Sequence, residues 1–479
     1  MTVDGGTFET LVPSQFISLS IPNPLHRPNS TPIPYGAFLR IAVLDSPVQI
    51  AGESPGIAAM LVPVNREYDW IFSTEAGHLQ LLLNSPGISR LILVGNLPQS
   101  SDNYYNRCRL LNNTTAYQAE FEETLTLSLL GLLPKVCFKN GLPQIPFLVY
   151  EDNVIRSFVV AKCFGSCVGE MLVEDIEIEI HDEVGDALKR EFRRRLRFKR
   201  MPNFVQTEIR ISPGISADSG NLELGGEVSF WPEMGVLVHP YLPPMVASLS
   251  LIATHVEQRL ESGSRPRVLC VGVGGGALLT FLASHFGFEV MGVEADETVL
   301  RVARKYFGLK EGEFLRVCVG DGIEVIEKFS RQDINQNSGS ASGPVETDGC
   351  LDIFGGCYDR MDLIMVDLDS GDVSNGISAP PFEFLQNSVL VAAKLALHKL
   401  GILVINVIPP SRSFYDYVIL QFREVFSELY EIDVGNGENY VLIVTVSSIG
   451  SVFNGGGNYI LEKLKLILAM SYLDSIRKI

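Results

Sequence analysis

Apolar runs of strand length alternate with helix-like segments through the second half of the chain. Five runs are each followed by a segment with apolar residues at helical spacing, and they read RVLCV, FEVMGVE, LRVCV, MDLIMVD and HKLGILVINVI. A last pair, LYEID and NYVLIVTV, is separated by a short polar turn, which is typical of an antiparallel hairpin. Five strand–helix repeats and a hairpin predict an α/β domain over residues 241–479, built on a seven-stranded, mostly parallel sheet.

The first of these runs ends in a cluster of glycines. The segment Arg267–Leu282 reads RVLCVGVGGGALLTFL, with Gly272, Gly274 and Gly276 between the strand and an apolar-periodic helix. Glycines let the backbone turn tightly and approach a ligand closely, and the N-terminus of the helix offers free N–H groups. The sequence therefore predicts a nucleotide-cofactor site at this turn.

The glycine spacing alone is compatible with two cofactor classes. Gly272-x-Gly274-x-Gly276 matches the GxGxG loop of enzymes that use S-adenosylmethionine, and Gly272-x-Gly274-x-x-Ala277 satisfies the dinucleotide fingerprint. Glu294 closes the next strand and suits the ribose hydroxyls in either class. A turn that needs glycine only for packing is a third interpretation.

Two further acids close the next strands of the predicted sheet. Asp321 stands before Gly322 in a Gly-Asp-Gly turn after LRVCV, and Asp367 ends MDLIMVD. Because the carboxyl ends of parallel strands line the ligand crevice of an open sheet, we expect Asp321 at the adenine amine and Asp367 at the reactive end of the cofactor. The dinucleotide dehydrogenase interpretation accounts for neither Asp321 nor Asp367, so this set of acids favours S-adenosylmethionine as the cofactor.

The chain before residue 241 divides into three predicted regions. Residues 1–35 are rich in Pro, Ser and Asn and predict a loosely ordered leader. Residues 36–185 predict a small α/β module for packing or substrate docking, with FLRIAVLD, AAMLVPV and RLILVG as strands. Residues 186–240 predict a β-hairpin region. Within the later domain, the Ser-, Gly- and Asn-rich residues 331–357 predict a surface insertion.

The hairpin region contains a strongly basic stretch. Residues 188–200 read LKREFRRRLRFKR, and an alternating strand, NFVQTEIRI, follows with Gln206. This pattern predicts either a hairpin strand with solvated charges or a local basic patch that faces an acidic partner or RNA.

Composition and charge narrow the function classes. A formal net charge of −18 argues against non-specific nucleic-acid binding, so we expect no direct nucleic-acid partner. No apolar run is long enough for a membrane helix and no signal peptide is evident, which predicts no membrane association. The eight cysteines form neither a disulfide framework nor a zinc-ligand spacing, so we expect no metal and a cytoplasmic location.

These motifs also carry a family resemblance. VLCVGVGGGALL, GVEADETVLRVARKYFG, CVGDGIEVI and MDLIMVDLDSGD resemble the spermidine-synthase-like branch of S-adenosylmethionine-dependent methyltransferases. MLVPVNREYDWIFSTEAG, MLVEDIEIE, FVQTEIRI and GISAPPFEF resemble, in the same order, the C-terminal half of the dual methyltransferases that modify translation elongation factor 1-alpha on a lysine and on the N-terminal amine. The resemblance spans roughly residues 35–446 and implies a Rossmann-like class I methyltransferase sheet.

The resemblance also implies roles for individual residues. It places Gly272, Gly274 and Gly276 at S-adenosylmethionine, Glu294 on the ribose, Asp321 with Gly322 at the adenine, Gln206 near the methionine portion, and Asp367 at the reacting centre. In that family the matching half methylates the N-terminal amine of elongation factor 1-alpha. That amine is therefore the expected substrate, with Asp367 as its anchor.

Departures from the resembled families keep two alternatives open. Aminopropyltransferases carry an acid within the glycine loop, where this chain has Gly275, and their Asp-Ser-Ser-Asp-Pro becomes Asp367-Leu-Asp-Ser-Gly-Asp372 here. A spermidine-synthase-like aminopropyltransferase is thus the alternative enzyme. The relatives' Asp-Pro becomes Asp372-Val373 in this chain, and a methyltransferase-fold interaction module without catalysis is the alternative outside enzymes.

Overall fold

The chain folds around three β-sheets. The computed structural model describes residues 6–26, 35–48, 55–97, 104–106, 114–139, 141–181, 188–214, 223–226, 228–335, 360–371, 379–449 and 457–479.

A five-stranded sheet organises the N-terminal module. The elements of this part of the chain are β1 (Phe16–Pro22), β2 (Phe38–Asp45), β3 (Gly56–Leu61), α1 (Trp70–Ser73), α2 (Glu75–Leu83), β4 (Ile88–Asn96), β5 (Tyr104–Asn106), α3 (Thr114–Leu129) and β6 (Phe147–Leu148). The strand order is β1-β2-β4-β3-β6, and β5 joins the second sheet. Successive residues of β4 point to opposite faces, so Leu91 and Leu93 pack toward α1 and α2 while Ile92 and Val94 pack toward α3.

A buried ion pair ties this sheet to the segments around it. Arg90 on β4 donates two hydrogen bonds to Asp45 on β2, at 2.5 and 2.8 Å, and the two side chains are 0% and 1% exposed. Arg90 also donates to the backbone carbonyls of Phe8, Thr10 and Leu132. A single guanidinium therefore holds the start of the chain and the end of the α3 region against the sheet.

The second sheet has six strands and carries the basic stretch. Its further strands are β7 (Val154–Gly165), β8 (Gly169–His181), β9 (Leu188–Phe198), β10 (Val205–Pro213) and β11 (Phe230–Pro232). The order is β11-β10-β9-β8-β7-β5, with antiparallel pairing throughout. Strand β9 lies inside this sheet, between β8 and β10.

Strands β9 and β10 pair antiparallel, which confirms the hairpin, but the basic stretch is neither a row of solvated charges nor an open basic patch. Seven of its eight cations pair with carboxylates on adjacent strands and on neighbouring segments. The pairs are Arg190–Glu177, Arg193–Glu208, Arg194–Asp175, Arg195–Glu208, Arg197–Glu174, Arg197–Asp69, Lys199–Glu170 and Arg200–Asp369. Acids of β8 and the single acid of β10, Glu208, lie beside the arginines, which offsets most of the positive charge of the stretch.

The third sheet forms the C-terminal domain. Its elements are α4 (Leu242–Ala247), α5 (Ala253–Glu261), β12 (Arg267–Val271), α6 (Ala277–Phe286), β13 (Glu289–Glu294), α7 (Glu297–Tyr306), β14 (Leu315–Val319), α8 (Gly322–Asn335), β15 (Met361–Val366), α9 (Asn387–Ala396), β16 (Leu397–Val407), α10 (Arg412–Val425), β17 (Glu428–Asp433), β18 (Tyr440–Thr445), α11 (Tyr459–Ile467), α12 (Met470–Asp474) and β19 (Arg477–Lys478).

This sheet confirms the predicted α/β fold class and extends it by one strand. The order is β14-β13-β12-β15-β16-β18-β17-β19, in which β12 to β16 run parallel and β17 to β19 pair antiparallel. Seven of its strands are the five strand–helix repeats and the hairpin that the sequence predicts. The eighth, β19, is a two-residue pairing at the end of the chain, with no apolar alternation that could have predicted it.

Helices and a sheet cover the two faces of this third sheet. Val268 and Cys270 of β12 point to a core shared with α4 to α7 and with β8, β9 and β10. Leu269 and Val271 point to the opposite core, which contains residues of α8, α9 and α10. Because the six-stranded sheet shares a core with the C-terminal domain, it lies against the edge where the predicted site residues gather.

The structure bears on two of the predicted boundaries, at the leader and near residue 185. Residues 16–22 of the predicted leader form β1, which pairs with β2, so this part of residues 1–35 is an ordered edge strand. The predicted boundary near residue 185 falls within the six-stranded sheet, because β8 before it pairs with β9 after it. Most of the predicted insertion at 331–357 lies outside the described residues, and the division of the chain into domains stays a proposal.

The structure also bears on the predictions about membrane helices and cysteines. None of the described helices combines the length and the apolar character needed to cross a lipid bilayer. Cys137, Cys163, Cys167 and Cys270 are free thiols, whereas Cys318 on β14 is disulfide-bonded.

Arg90→Leu should strongly destabilise the N-terminal module. The change leaves the Asp45 carboxylate buried and unpaired, which costs about 3–5 kcal/mol in the free energy of unfolding. Denaturant unfolding of the variant measures this loss. Arg412→Leu is the matched control, because Arg412 and Asp416 form an exposed i,i+4 pair with side chains 79% and 56% exposed. Its loss should stay below about 1 kcal/mol, and similar losses in both variants would contradict the role of the buried pair.

Candidate active site

A cavity of about 280 Å³ opens at the carboxyl ends of β12, β13 and β15. The strand order reverses between β12 and β15, and in open α/β sheets ligands bind at such a switch point. Strand β10 and the segment before α4 close the cavity from the side of the six-stranded sheet. The structure brings five predicted residues to its lining: Gln206, Gly272, Gly274, Glu294 and Asp367.

The glycine loop lies in van der Waals contact with two neighbours. A Cβ atom at Gly272, whose φ is +86°, would lie 2.2 Å from the backbone oxygen of Asp367. A Cβ atom at Gly275 would lie 2.3 Å from the Cγ2 atom of Thr207 on β10. The Gly275 N–H also donates to the Thr207 hydroxyl at 2.8 Å. The glycines are thus required for packing, and that packing shapes the cavity.

Glu294 is held by backbone donors at the base of the cavity. Its carboxylate accepts hydrogen bonds from the backbone N–H groups of Val273 at 3.1 Å, Gly274 at 3.3 Å and Asp296 at 3.3 Å. Burial raises the pKa of this carboxyl above its ordinary value, although the three N–H donors favour the charged form. A carboxylate fixed in this way keeps lone pairs for a pair of vicinal hydroxyls.

Gln206 brings an unsatisfied donor to the same cavity. Its Nε2 atom is buried and has no hydrogen-bond partner among the residues that the structure describes. A buried amide without a partner costs free energy, so such a group points to a ligand acceptor.

Asp367 lies at the opposite end of the cavity between two neutral donors. The Tyr241 hydroxyl donates to Oδ2 at 2.8 Å, and the Asn406 amide donates to Oδ1 at 3.2 Å. Asn439 donates to the Oδ1 atom of Asn406 at 2.8 Å, which fixes the direction of that amide. The carboxylate is therefore oriented by a chain of neutral side chains.

Burial raises the pKa values of both Asp367 and Tyr241. It raises the pKa of the Asp367 carboxyl, against the hydrogen bonds from Tyr241 and Asn406. Burial and the neighbouring Asp367 raise the pKa of the Tyr241 phenol well above its ordinary value, so the phenol stays a neutral donor. A second acid on the same loop, Asp369, is paired with Arg200 at 2.8 Å. Asp367, which is hydrogen-bonded to neutral donors, is thus available to a cation in the cavity.

Three predicted residues lie outside the cavity lining. Asp321 follows β14 and is exposed, and its Oδ1 atom accepts from the backbone N–H groups of Ile323 at 2.7 Å and Glu324 at 3.3 Å. It thus caps the N-terminus of α8. Gly322 lets α8 approach β12, because a Cβ atom there would lie 2.2 Å from Val271. Gly276 precedes α6 in a left-handed conformation. Their contact with a cofactor stays a proposal.

A separate cluster lies at the opposite edge of the sheet, where β15 and β16 begin. His255, Asp362 and His398 place their ligand atoms within 4.8 Å of one another. The two imidazole rings stack nearly parallel, with centroids 4.6 Å apart and planes 7° from parallel, so their lone pairs do not converge on one point. Asp362 already accepts from His255 and from the backbone N–H of Arg267, and it lies 3.5 Å from Arg259. The cluster therefore binds the strand ends together.

Residue patterns had not singled out four of the lining residues. Asn406 ends the fifth strand, and the strand-end rule that found Asp367 could have found it. Thr207 directly follows Gln206, and its contact with the loop has no sequence signal. Tyr241 and His239 lie in an irregular, proline-containing segment. Only folding shows that they face the cavity.

No protein-family model matches the chain. Curated proteins do match it: "eEF1A lysine and N-terminal methyltransferase" of Homo sapiens is 28% identical over 421 residues, covering 84% of this chain and 52% of that protein.

The chain is similar to the eEF1A lysine and N-terminal methyltransferases.

A homologue of that name in Drosophila melanogaster is 27% identical over 409 residues, covering 84% of this chain and 50% of that protein. The resemblance drawn from the sequence motifs is thereby confirmed. The chain spans about half the length of these curated relatives.

Solved structures of two kinds also match. Human methyltransferase-like protein 13 in complex with SAH is 24% identical, covering 50% of this chain and 94% of that chain at a TM-score of 0.37. A spermidine synthase in complex with the transition-state analogue AdoDATO is 12% identical, covering 67% of this chain and 90% of that chain at a TM-score of 0.36.

Gly275→Ala should destabilise the loop through overpacking. The new methyl group meets Thr207 at 2.3 Å and the Phe307 ring at 3.0 Å, and overpacking of this kind costs about 1–3 kcal/mol. Denaturant unfolding measures the loss. Gly312→Ala is the control, because no atom lies within 4 Å of a Cβ at that position. Equal stability of the two variants would contradict the packing role of Gly275.

Proposed function

We propose that the protein is an S-adenosylmethionine-dependent N-methyltransferase that acts on the N-terminal amine of a protein, and that this protein is translation elongation factor 1-alpha. The observation that carries the proposal is the Asp367 carboxylate. It is buried in the same cavity as the glycine loop and Glu294, and its two hydrogen-bond donors are neutral. A buried carboxylate with neutral partners favours a cationic or amine ligand.

The residues present fit the proposed cofactor. Glu294 suits the ribose hydroxyls, the unpartnered Nε2 of Gln206 suits a carboxylate, and Gly272 and Gly274 line the same cavity. The cofactor supplies a methyl group on a positively charged sulfur. The task left to the chain is to hold a neutral amine in line with that group and to keep water out.

The chemistry of the amine favours an N-terminus over a lysine. An α-amine has a pKa of about 7.7–8.0 and a lysine about 10.4, so a far larger share of α-amines is neutral near physiological pH. The difference corresponds to about 3–4 kcal/mol. An anchoring carboxylate raises the pKa of the amine it holds, which makes Asp367 an orienting group for the amine.

The substrate proposal draws on the relatives' names. Those proteins are called lysine and N-terminal methyltransferases of eEF1A, and this chain matches about half of their length. The motifs resemble the half that acts on the N-terminal amine, so we assign the chain that reaction. The proposed partner is a translation factor, and we propose the cytoplasm as the compartment.

Aminopropyl transfer is the weaker enzyme candidate. The acid that aminopropyltransferases carry in the glycine loop would stand at Gly275, where even a methyl group would lie 2.3 Å from Thr207. A polyamine dication needs several placed carboxylates, and Asp369 in this cavity is already paired with Arg200.

Calorimetric titration with S-adenosylmethionine and its decarboxylated form separates the candidates. Preference for the decarboxylated form supports aminopropyl transfer, and binding of neither supports an interaction module.

The direct test of the proposal uses the purified full chain, S-adenosylmethionine and a peptide with the N-terminus of elongation factor 1-alpha. Mass spectrometry should show methylation at the terminal nitrogen. The same peptide with an acetylated N-terminus is the control and should stay unmodified. Methylation confined to lysine side chains, or equal methylation of both peptides, would overturn the proposal.

Glu294→Ala should abolish measurable binding of S-adenosylmethionine. Two hydrogen bonds from ribose hydroxyls to a carboxylate are worth about 3–6 kcal/mol together, which is at least a hundredfold in the dissociation constant. Calorimetric titration measures the dissociation constant for S-adenosylmethionine. Glu297→Ala removes the same charge at an exposed position three residues later and should bind normally. An unchanged dissociation constant in Glu294→Ala would sink the cofactor assignment.

Asp367→Asn should separate chemistry from cofactor binding. The substitution keeps the shape and removes the charge, so the affinity for S-adenosylmethionine should change by well under tenfold. The single-turnover rate should fall by about two orders of magnitude, or about 2.7 kcal/mol in the barrier. Asp416→Asn on the exposed face of α10 is the control. Collapse of cofactor affinity with an unchanged rate at saturating cofactor would make Asp367 a cofactor ligand instead.

A further inference from the structure

His239 brings a second buried, unpartnered polar atom into the cavity. It lies in the segment before α4 and lines the cavity together with Tyr241 and Asp367. Its Nε2 atom lies 3.0 Å from the backbone oxygen of Val205. Its Nδ1 atom is buried and has no hydrogen-bond partner within the described part of the chain.

The contact with Val205 assigns the tautomer of His239. A backbone carbonyl only accepts hydrogen bonds, so the imidazole hydrogen must be on Nε2. The neutral ring then carries a bare lone pair on Nδ1. Each oxygen of Asp367 accepts one hydrogen bond, from Tyr241 or Asn406, and a carboxylate is ordinarily a weaker base than an imidazole. In this cavity, His239 therefore offers an acceptor that the fold leaves unused.

The proposed reaction needs such an acceptor. An α-amine with a pKa of about 7.7–8.0 is mostly protonated near pH 7, and the neighbouring Asp367 raises that pKa further. The amine must lose a proton before its lone pair can react. Each transfer to an amine that still carries hydrogen leaves a new ammonium, so the need returns with every further methyl group.

We propose that His239 is the general base of this reaction, an inference that rests on the proposed function. The substrate ammonium transfers one proton to Nδ1, which makes the ring an imidazolium. The freed nitrogen lone pair forms the bond to the methyl carbon as the carbon–sulfur bond breaks, and that bonding pair stays on sulfur as a neutral thioether. The imidazolium then returns its proton to solvent.

The surroundings of His239 suit a ring that gains charge. The Tyr241 ring lies 4.4 Å from the imidazole, centroid to centroid, and stays neutral. Asp367 and Glu208 are close enough for a charged His239 to lower the pKa of both carboxyls. Arg193 and Arg195 pair with Glu208 on its other side and offset part of its charge. Two carboxylates therefore lie near the ring without a direct hydrogen bond to Nδ1.

The test compares His239→Gln with the wild-type full chain across pH. Glutamine can still donate from its amide to Val205 but has no basic nitrogen. At about pH 7 we expect kcat with the N-terminal peptide to fall by roughly a hundredfold. The dissociation constant for S-adenosylmethionine should stay within about twofold of the wild-type value. At about pH 9.5, where an α-amine is neutral without help, the deficit should shrink to a few-fold.

His285→Gln is the matched control. His285 also places Nε2 near a backbone carbonyl, that of Gly235 at 3.2 Å, but it lies outside the cavity. This variant should match the wild type at every pH. A loss in His239→Gln that stays constant from low to high pH would overturn the base assignment, because a merely structural defect does not follow the ionisation of the amine.

A second measurement does not depend on activity. Nitrogen-15 NMR of the histidine-labelled chain without cofactor should show one resonance pair, absent from His239→Gln, with the hydrogen on Nε2 and a bare Nδ1. A hydrogen on Nδ1 would overturn the inference. A wild type that binds S-adenosylmethionine but methylates no N-terminal peptide overturns the proposed function itself. An active wild type with an equally active His239→Gln variant overturns only the base assignment.

Discussion

The close contact between the glycine loop and strand β10 is the constraint on which the site depends. The Gly275 N–H reaches the Thr207 hydroxyl at 2.8 Å, and neither Gly274 nor Gly275 leaves room for a Cβ atom beside that threonine. This contact presses the six-stranded sheet against the parallel sheet. It also carries Gln206, the neighbour of Thr207, to the cavity edge opposite Asp367. Without the glycines the two sheets would stand further apart, and the cavity would lose a wall.

Much of the C-terminal domain could be predicted from the sequence because two simple rules govern it. Buried parallel strands read as apolar runs, and their carboxyl ends meet at one edge, so Glu294 and Asp367 could be placed at a shared crevice. Asp321 obeys the same rule, yet its carboxylate caps α8, because a short acid at a helix N-terminus binds the free N–H groups nearest to it. The rule predicts a position along the edge but not which neighbour a side chain meets.

The remaining parts of the site depend on contacts between distant segments. Tyr241 and Asp367 meet across 126 positions of sequence, and neither segment carries a pattern that predicts the other. The basic stretch shows the same limit, since the acids that neutralise Arg194 and Arg195 lie on separate strands, at Asp175 and Glu208. A run of like charges in a sequence says little about surface potential until the strands beside it are known.

Arg197 has a consequence for how the chain can be divided. Its buried guanidinium contacts Glu174 within the six-stranded sheet and Asp69 at the start of α1 in the N-terminal module. A fragment that begins after the module would keep the arginine and lose one of its two carboxylates, opening a polar surface that is dry in the whole chain. The start of α1 in the N-terminal module therefore covers a buried charge of the sheet that walls the cavity.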